Sequence, residues 1–182
     1  MLSDACEYGY HQMVAHLIVQ DKIDINKGYR YGGTPLFMAC TGGHDKVVSI
    51  LVAQEKIEIN KGRKNDGTTP FNRACEFGHD KVVEILVAQE GIDMNKADQN
   101  DNTPLMQACV EGHDKIAAFL VAQDQIDINK AGNQGTTPLC MACRYGHDKV
   151  VAILVAQDQI DINKADKNGE TALWMACYEG RD

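Results

Sequence analysis

Four of the six histidines in this chain recur at one fixed spacing, and histidine is a residue that can bind a metal ion or transfer a proton. They lie 34 or 35 residues apart, each within the sequence Gly-His-Asp-Lys, at His44, His79, His113 and His147. A zinc site requires about four ligands around one ion. One histidine per copy does not supply them, so we expect each histidine to lie in a turn and bond to nearby backbone instead.

The seven cysteines are the second group with chemical potential, since thiols form disulfides, bind metals and act in redox reactions. Six of them follow an alanine at the same point of each copy, at Cys6, Cys40, Cys75, Cys109, Cys143 and Cys177. If the copies stack as helices about 8–10 Å apart, equivalent cysteines exceed the Cα distance of about 7 Å that a disulfide permits. We therefore expect buried, free thiols in a reduced, intracellular protein.

The remaining cysteine, Cys140, forms a Cys-x-x-Cys motif with Cys143. On a helix, this spacing places both thiols on similar sides, which keeps a redox or metal role as an alternative. The chain contains no second such pair, no Gly-x-Ser-x-Gly, no His-Glu-x-x-His and no Walker loop. Repetition also argues against one asymmetric catalytic centre. We expect no enzymatic activity, no cofactor and no resident metal.

Asparagine is repeated as well, before a lysine in each copy, at Asn26, Asn60, Asn95, Asn129 and Asn163. Asparagine side chains readily bond to nearby backbone and stabilise turns, and we expect that role here.

The candidate binding residues are those that change from copy to copy while the framework stays constant. Some lie between the Ala-Cys pair and the glycine, and others lie at the tips of the connecting loops. The predicted partner-binding residues are Tyr8, Arg30, Tyr31, Glu76, Phe77, Gln99, Asn100, Val110, Glu111, Asn133, Gln134, Arg144, Tyr145, Lys167 and Tyr178. Exposed tyrosine beside arginine and polar groups is typical of protein-binding surfaces, whereas unselected surface variation is the alternative.

The elements that position these residues are visible in one copy, from Thr137 to residue 165. Thr137 suits a helix N-cap and Pro138 suits the first helical position, and Gly146 then ends a short helix. A second helix begins near Asp148, and its run 150–155 is apolar on nearly every side, which is typical of a helix between neighbours. Residues 160–162 alternate like a short strand that enters a polar turn.

A period of 34 residues with this content indicates stacked copies of one supersecondary unit. The motifs Gly135-Thr136-Thr137-Pro138-Leu139, Gly146-His147 and Val150-Val151, followed by Asp161-Ile162-Asn163, resemble the ankyrin repeat over most of the chain. The resemblance implies an all-α, ankyrin-type solenoid of stacked helix-turn-helix-hairpin repeats, four full and two partial. We divide the single domain 1–182 into repeats 1–31 (partial), 32–66, 67–100, 101–134, 135–168 and 169–182 (partial).

The sequence also departs from the family pattern. The histidine after Thr-Pro-Leu is replaced in every copy, the loop 62–68 carries an extra residue, and Ala172 stands in place of proline. Asp101 replaces a glycine, and we expect it at positive φ. The last copy stops after its first helix, so we expect Leu173, Met175, Ala176 and Cys177 to lack a cover. From this we infer a fragment of a longer array or an end that packs on another chain.

Composition and resemblance together indicate a protein-interaction module. The resemblance implies one concave groove lined by the variable residues, and it adds asparagine hydroxylation as a lesser option. A net charge of −8 disfavours nucleic acid and favours a basic protein partner. No apolar run is long enough to cross a membrane. We expect a monomer or weak end-to-end association. A passive spacer within a larger protein is the alternative function, and an enzyme that uses Cys140 and Cys143 is another.

Overall fold

The computed structural model describes residues 1–20, 22–29 and 32–180. Within them lie eleven helices. Six are the first helices of successive copies: α1 (Leu2–Glu7), α3 (Pro35–Thr41), α5 (Pro70–Glu76), α7 (Pro104–Glu111), α9 (Pro138–Tyr145) and α11 (Ala172–Tyr178). Five are second helices: α2 (His11–Ile18), α4 (Asp45–Val52), α6 (Asp80–Val87), α8 (Asp114–Val121) and α10 (Asp148–Val155).

The first helices begin where the Thr-Pro pairs predict. In α3, α5, α7, α9 and α11 the hydroxyl of the N-cap threonine accepts a hydrogen bond from the backbone N–H three residues later. Proline follows in all of these except α11, at the position where its missing N–H loses no helical bond. After the helix comes a glycine in the left-handed region, as at Gly146 with φ 70°.

The helices stack side by side, so the predicted all-α solenoid is confirmed. Each first helix packs on the first helix of the next copy, and the second helices follow the same rule. The shared faces form one apolar core that runs from Leu2 to Met175. Alanine and cysteine occupy the tightest positions of the first helices, and valine and leucine fill the same role in the second helices.

The prediction for the second helix 150–155 was wrong in detail. In α4, Val47, Val48 and Leu51 are fully buried, whereas in α10 only Val150 and Leu154 are, and Val155 is exposed. A helix is buried on several sides only where another second helix follows it. Among the described residues α8 covers one side of α10 and no further second helix covers the other.

The loops that connect the copies close like hairpins but contain no strand within the described residues. One isolated antiparallel bridge joins Tyr29 and Gly33. Elsewhere a backbone bond closes a tight turn, as from Asp98 N to Asn102 O at 3.1 Å. The short strand expected at 160–162 is therefore absent, because this segment pairs with no neighbouring strand: Ile160 packs against the core, whereas Ile162 is exposed. Asp101 has φ 59°, as predicted.

Each recurring histidine contacts the preceding repeat, not its own turn. Nε2 of His44 lies 2.8 Å from Glu7 O, and Nε2 of His147 lies 2.8 Å from Val110 O. Since a carbonyl only accepts, the ring donates through Nε2. Equivalent bonds join His79 to Thr41 O and His113 to Glu76 O. The expected bond to backbone is confirmed, and it links neighbouring repeats.

The recurring asparagines form a second row of links. The side chain of Asn95 donates to Gln125 O at 2.7 Å and accepts from Asp127 N at 2.9 Å. Asn26, Asn60 and Asn129 each make the same pair of bonds to the next repeat. We predicted local turn bonding. The amide instead spans two repeats because it carries both a donor and an acceptor.

The last first helix, α11, agrees with the expectation only in part. Leu173 is 71% exposed and Cys177 is also exposed, whereas Met175 is 1% exposed. The expectation for Met175 was wrong because its side chain packs inward against the preceding repeat, within the continuous core. Of all the helices in the described part of the chain, none has the length and apolar character to cross a bilayer.

Candidate functional site

The Cys-x-x-Cys pair is poorly suited to thiolate chemistry. Cys140 is buried, and its Sγ lies 3.9 Å from Lys164 O. Burial raises the pKa of the Cys143 thiol, and the neighbouring Cys140 raises it further. Nucleophilic cysteines need the opposite shift. Nowhere in the described residues do three or more His, Cys, Asp or Glu side chains come close enough together to hold a metal ion.

The predicted binding residues are mostly at the surface. Phe77 and Tyr145 are 48% and 47% exposed, and Val110, Glu76 and Arg144 are half-buried. The remaining ones that the structure describes are exposed, namely Tyr8, Gln99, Asn100, Glu111, Asn133, Gln134, Lys167 and Tyr178. The predictions for Arg30 and Tyr31 fall outside the described residues.

Four of the predicted residues line one surface hollow of about 230 Å³ that extends from the end of the third repeat to the fifth. The loops contribute Asn100, Asn133 and Gln134, and α9 contributes Arg144. Other loop and helix residues complete the lining, namely Asn102, Met106, Gly132, Thr136, Met141, Asp166 and Asn168. A connecting loop and a first helix therefore face the same space. We name this the Arg144 hollow.

Several polar side chains of the Arg144 hollow have no partner among the described residues. The guanidinium of Arg144 makes no hydrogen bond and no ion pair there. Asn100 and Asn168 bond to Asp98 and Asp166 through their backbone N–H groups, and their side-chain amides make no hydrogen bond among the described residues. The carboxylate Oδ1 of Asp166 is occupied by the N–H groups of Asn168 and Glu170. The hollow thus presents one cation, one carboxylate and several neutral amides.

A second cluster, in the second and third repeats, is organised differently. The guanidinium of Arg73 lies 5.4 Å from the ring centre of Phe37 and 5.5 Å from that of Phe77, and it donates to Glu76 Oε2 at 2.6 Å. Contacts of this kind between arginine and an aromatic face are attractive. Arg63 also lies over Phe37, at 5.3 Å. We name these residues the Phe37 cluster.

The inserted loop 62–68 supplies the other charged pair of the Phe37 cluster. Arg63 is bidentate on Asp66, with Nε 3.0 Å from Oδ1 and Nη2 on Oδ2. The hydrogen bond from Arg63 lowers the pKa of the Asp66 carboxyl to about 2 despite the opposing effect of burial, and backbone and side-chain bonds at Thr68 contribute to the lowering. Both arginines of this cluster are therefore already paired to carboxylates.

Sequence reasoning missed Phe37, Arg63 and Arg73. Among the first helices it considered only the positions after the Ala-Cys pair, and in the connecting loops it considered only the tips. The residue directly before that pair also varies, from Met38 to Arg73, Gln107, Met141 and Met175. That variation was a usable signal, and it also marks Met141 in the Arg144 hollow.

Two of the exposed aromatic rings at the ends of first helices stack on recurring histidines. Phe77 stacks on His79 with centroids 6.2 Å apart and planes at 20°, and Tyr145 stacks on His147 at 6.4 Å and 25°. These histidines are fixed by their bonds to the preceding repeat. The rings are therefore held in place while about half of each stays exposed.

Comparison with known proteins agrees with this architecture. The family model for ankyrin repeats in three copies matches residues 2–98, 64–132, 88–166 and 126–182. No curated protein matches the sequence significantly. Ankyrin repeats are in general protein–protein interaction modules, and the family is typically non-enzymatic. Since these matches extend over nearly the whole chain, the protein belongs to the ankyrin repeat family.

Proposed function

We propose that this chain binds a segment of a protein partner along the face formed by its first helices and connecting loops. The Arg144 hollow carries the proposal, because it is the place where residues from a loop and a helix converge with unused hydrogen-bonding groups. A stiff stack presents such groups in a fixed arrangement, so little conformational entropy is lost when a partner docks.

The exposed aromatic residues support the same face. Phe77 directly follows α5, Tyr145 is the last residue of α9, and both are held by stacking on a fixed histidine. Rigid aromatic rings contribute large contact area at interfaces without a large loss of side-chain entropy. We propose these two rings as anchors for the partner.

The charge of the whole chain supports a partner with basic character outside the anchored segment. Eighteen basic and 26 acidic residues give a net charge of −8. Such a field accelerates encounter with cationic proteins and makes it sensitive to salt. The same field repels phosphate backbones, so we propose a protein as the ligand and not a nucleic acid. We also propose that 1–182 acts as one unit.

Affinity capture with the full chain tests the proposal. Bound proteins are identified by mass spectrometry, and the affinity of each is then measured for the wild type, Phe77→Ala and Tyr145→Ala. We expect both substitutions to weaken binding by about tenfold or more, as for truncated aromatic hot spots. Each loses a stacking contact as well, so we expect a modest fall in thermal stability of about 1 kcal/mol or less.

A matched control uses the opposite side of the stack. Ser49→Ala and Lys149→Gln change exposed residues of second helices, and we expect neither to alter affinity. If the control pair weakens binding as much as the aromatic pair, the partner docks elsewhere. If no captured protein distinguishes the wild type from Phe77→Ala and Tyr145→Ala, the chosen face is wrong.

A further inference from the structure

We propose that the Arg144 hollow binds an acidic side chain of the partner segment, and that Arg144 forms the ion pair with it. This inference rests on the proposed function, because it concerns the same face. It adds the chemistry of the ligand: a carboxylate carried by an extended peptide.

The arginines of the described chain differ in their partners. Arg63 is paired with Asp66, and Arg73 is paired with Glu76. Arg144 has the same half-buried position on a first helix that Glu76 has two repeats earlier, but it has no carboxylate within ion-pair distance in the described residues. Because Arg144 is half-buried as a residue and its guanidinium has no partner in the described chain, a ligand carboxylate that supplies hydrogen bonds to it is favoured.

The neutral groups around Arg144 suit a peptide backbone. Asn100, Asn133, Gln134 and Asn168 carry both donors and acceptors on their side chains, as the N–H and C=O groups of an extended chain do. The half-buried Met141 adds adaptable apolar surface to the lining, while Met106, 1% exposed, lies behind it in the core. The hollow therefore accommodates an acidic residue next to an apolar one, and its amides can bond to the peptide backbone between these two residues.

A carboxylate fits this site better than a phosphate group. A phosphate at neutral pH carries between about one and a half and two negative charges and is usually bound by several arginines. Here a single guanidinium shares the hollow with the carboxylate of Asp166, whose charge repels a dianion. Because Asp166 already places one negative charge in the hollow, a carboxylate monoanion is repelled less than a phosphate dianion, so the ligand is an aspartate or glutamate side chain.

Selection from a random peptide library tests the inference. Phage-displayed peptides of about a dozen residues are selected on the immobilised full chain, and the Kd of the best synthetic peptide is measured by fluorescence anisotropy. We expect one fixed Asp or Glu with an apolar neighbour. Arg144→Gln should weaken binding about tenfold or more. Changing the peptide's acidic residue to its amide should weaken it similarly, and the two changes together should add little further loss.

Further variants separate the outcomes. Arg144→Lys should recover only part of the affinity, because an ammonium lacks the planar fork, and Arg144→Glu should select peptides with Lys or Arg at the fixed position. Lys149→Gln, a charge loss on the second helix of the same repeat, should leave the Kd unchanged. If Tyr145→Ala weakens peptide binding but Arg144→Gln does not, the acidic anchor is refuted and the proposed face stands. If neither variant affects any selected peptide, both proposals fail.

Discussion

At the scale of single residues, this solenoid is held together by side chains that reach from one repeat to the next. The recurring histidines donate to a backbone carbonyl of the preceding repeat. The recurring asparagines bond to a backbone carbonyl and a backbone N–H of the following repeat. These residue types are chemically versatile, and the sequence alone suggested turn stabilisation for both. Their actual role follows from stacking, because two repeats brought side by side leave polar backbone groups that need partners.

The first residue-scale prediction concerns the bridging asparagines. Asn95→Ala removes the bonds to Gln125 O and Asp127 N, and we expect a loss of about 1–2 kcal/mol in the free energy of unfolding. Urea denaturation measures it. The control is Asn163→Ala, since that side chain makes no such bonds within the described residues, and its loss should stay below about 0.5 kcal/mol. Equal losses at both positions would mean that the amide bridge contributes nothing.

The second residue-scale prediction concerns the glycine that faces each histidine. Gly78 has φ 72°, and a Cβ there would lie 2.6 Å from Cε1 of His113. Gly91 has φ 78° with no atom within 4 Å of such a Cβ. We expect Gly91→Ala to destabilise by about 1 kcal/mol for its backbone alone. Gly78→Ala should lose a further 1–3 kcal/mol or so, because the methyl group displaces the ring from Glu76 O.

Both glycine variants are compared by chemical denaturation under the same conditions. The double variant Gly78→Ala with His113→Ala removes the clash together with the ring. If the excess loss arises from that ring, adding Gly78→Ala to His113→Ala should destabilise by no more than Gly91→Ala does. An unchanged excess in the absence of the ring would contradict the explanation.

At the scale of elements, the start of each first helix was predictable because its cause is local. The N-cap threonine and the proline that needs no N–H are adjacent, and the capping bond reaches only three residues further along the chain. The loops were less predictable. The alternation at 160–162 is a valid strand signal, but a strand exists only when a second strand pairs with it, and the turn here is closed by its own short bonds.

One element-scale prediction concerns the start of α11, which lacks the proline found at the start of α3, α5, α7 and α9. Ala172 begins α11, where the equivalent position of α3, α5, α7 and α9 is proline. Its N-cap Thr171 has φ −91° and ψ 170°, close to the extended values of the other caps and compatible with a following proline. We expect Ala172→Pro to stabilise the protein by about 0.4–1 kcal/mol by restricting the unfolded chain.

Thermal denaturation followed by circular dichroism measures the effect of Ala172→Pro. The reverse change, Pro138→Ala at the start of α9, serves as the control and should destabilise by a similar amount. A loss of stability in Ala172→Pro would show that the first turn of α11 needs the N–H that proline removes.

At the scale of the whole molecule, the stack itself was predictable and its candidate site was only partly so. The period of 34 residues fixed which faces are shared, and the framework residues are buried as expected. Variation between copies marked four residues of the Arg144 hollow. It did not reveal that Arg63 and Arg73 meet over Phe37, because that contact joins an inserted loop to two neighbouring first helices and depends on distances that no sequence position encodes.

The last prediction uses the cysteines as reporters of how the stack opens. Cys6, Cys40, Cys75 and Cys109 are buried, whereas Cys177 is exposed and Cys143 half-buried. Burial raises the pKa of the Cys6 thiol to about 12, and it raises the pKa values of Cys40, Cys75 and Cys109 as well, so these four thiols are almost entirely protonated in the folded protein at pH 8. Alkylation at these sites therefore requires opening.

We expect iodoacetamide at pH 8 to modify Cys177 quickly, and Cys75 and Cys109 at least about a thousandfold more slowly. Because each repeat contacts only its neighbours, opening proceeds from the ends. Cys6 should then react faster than Cys75, although both are fully buried. Peptide mass spectrometry after timed quenching measures each rate. If Cys6, Cys40, Cys75 and Cys109 react at one common rate, the stack opens as a single cooperative unit, and nearest-neighbour packing alone does not describe its stability.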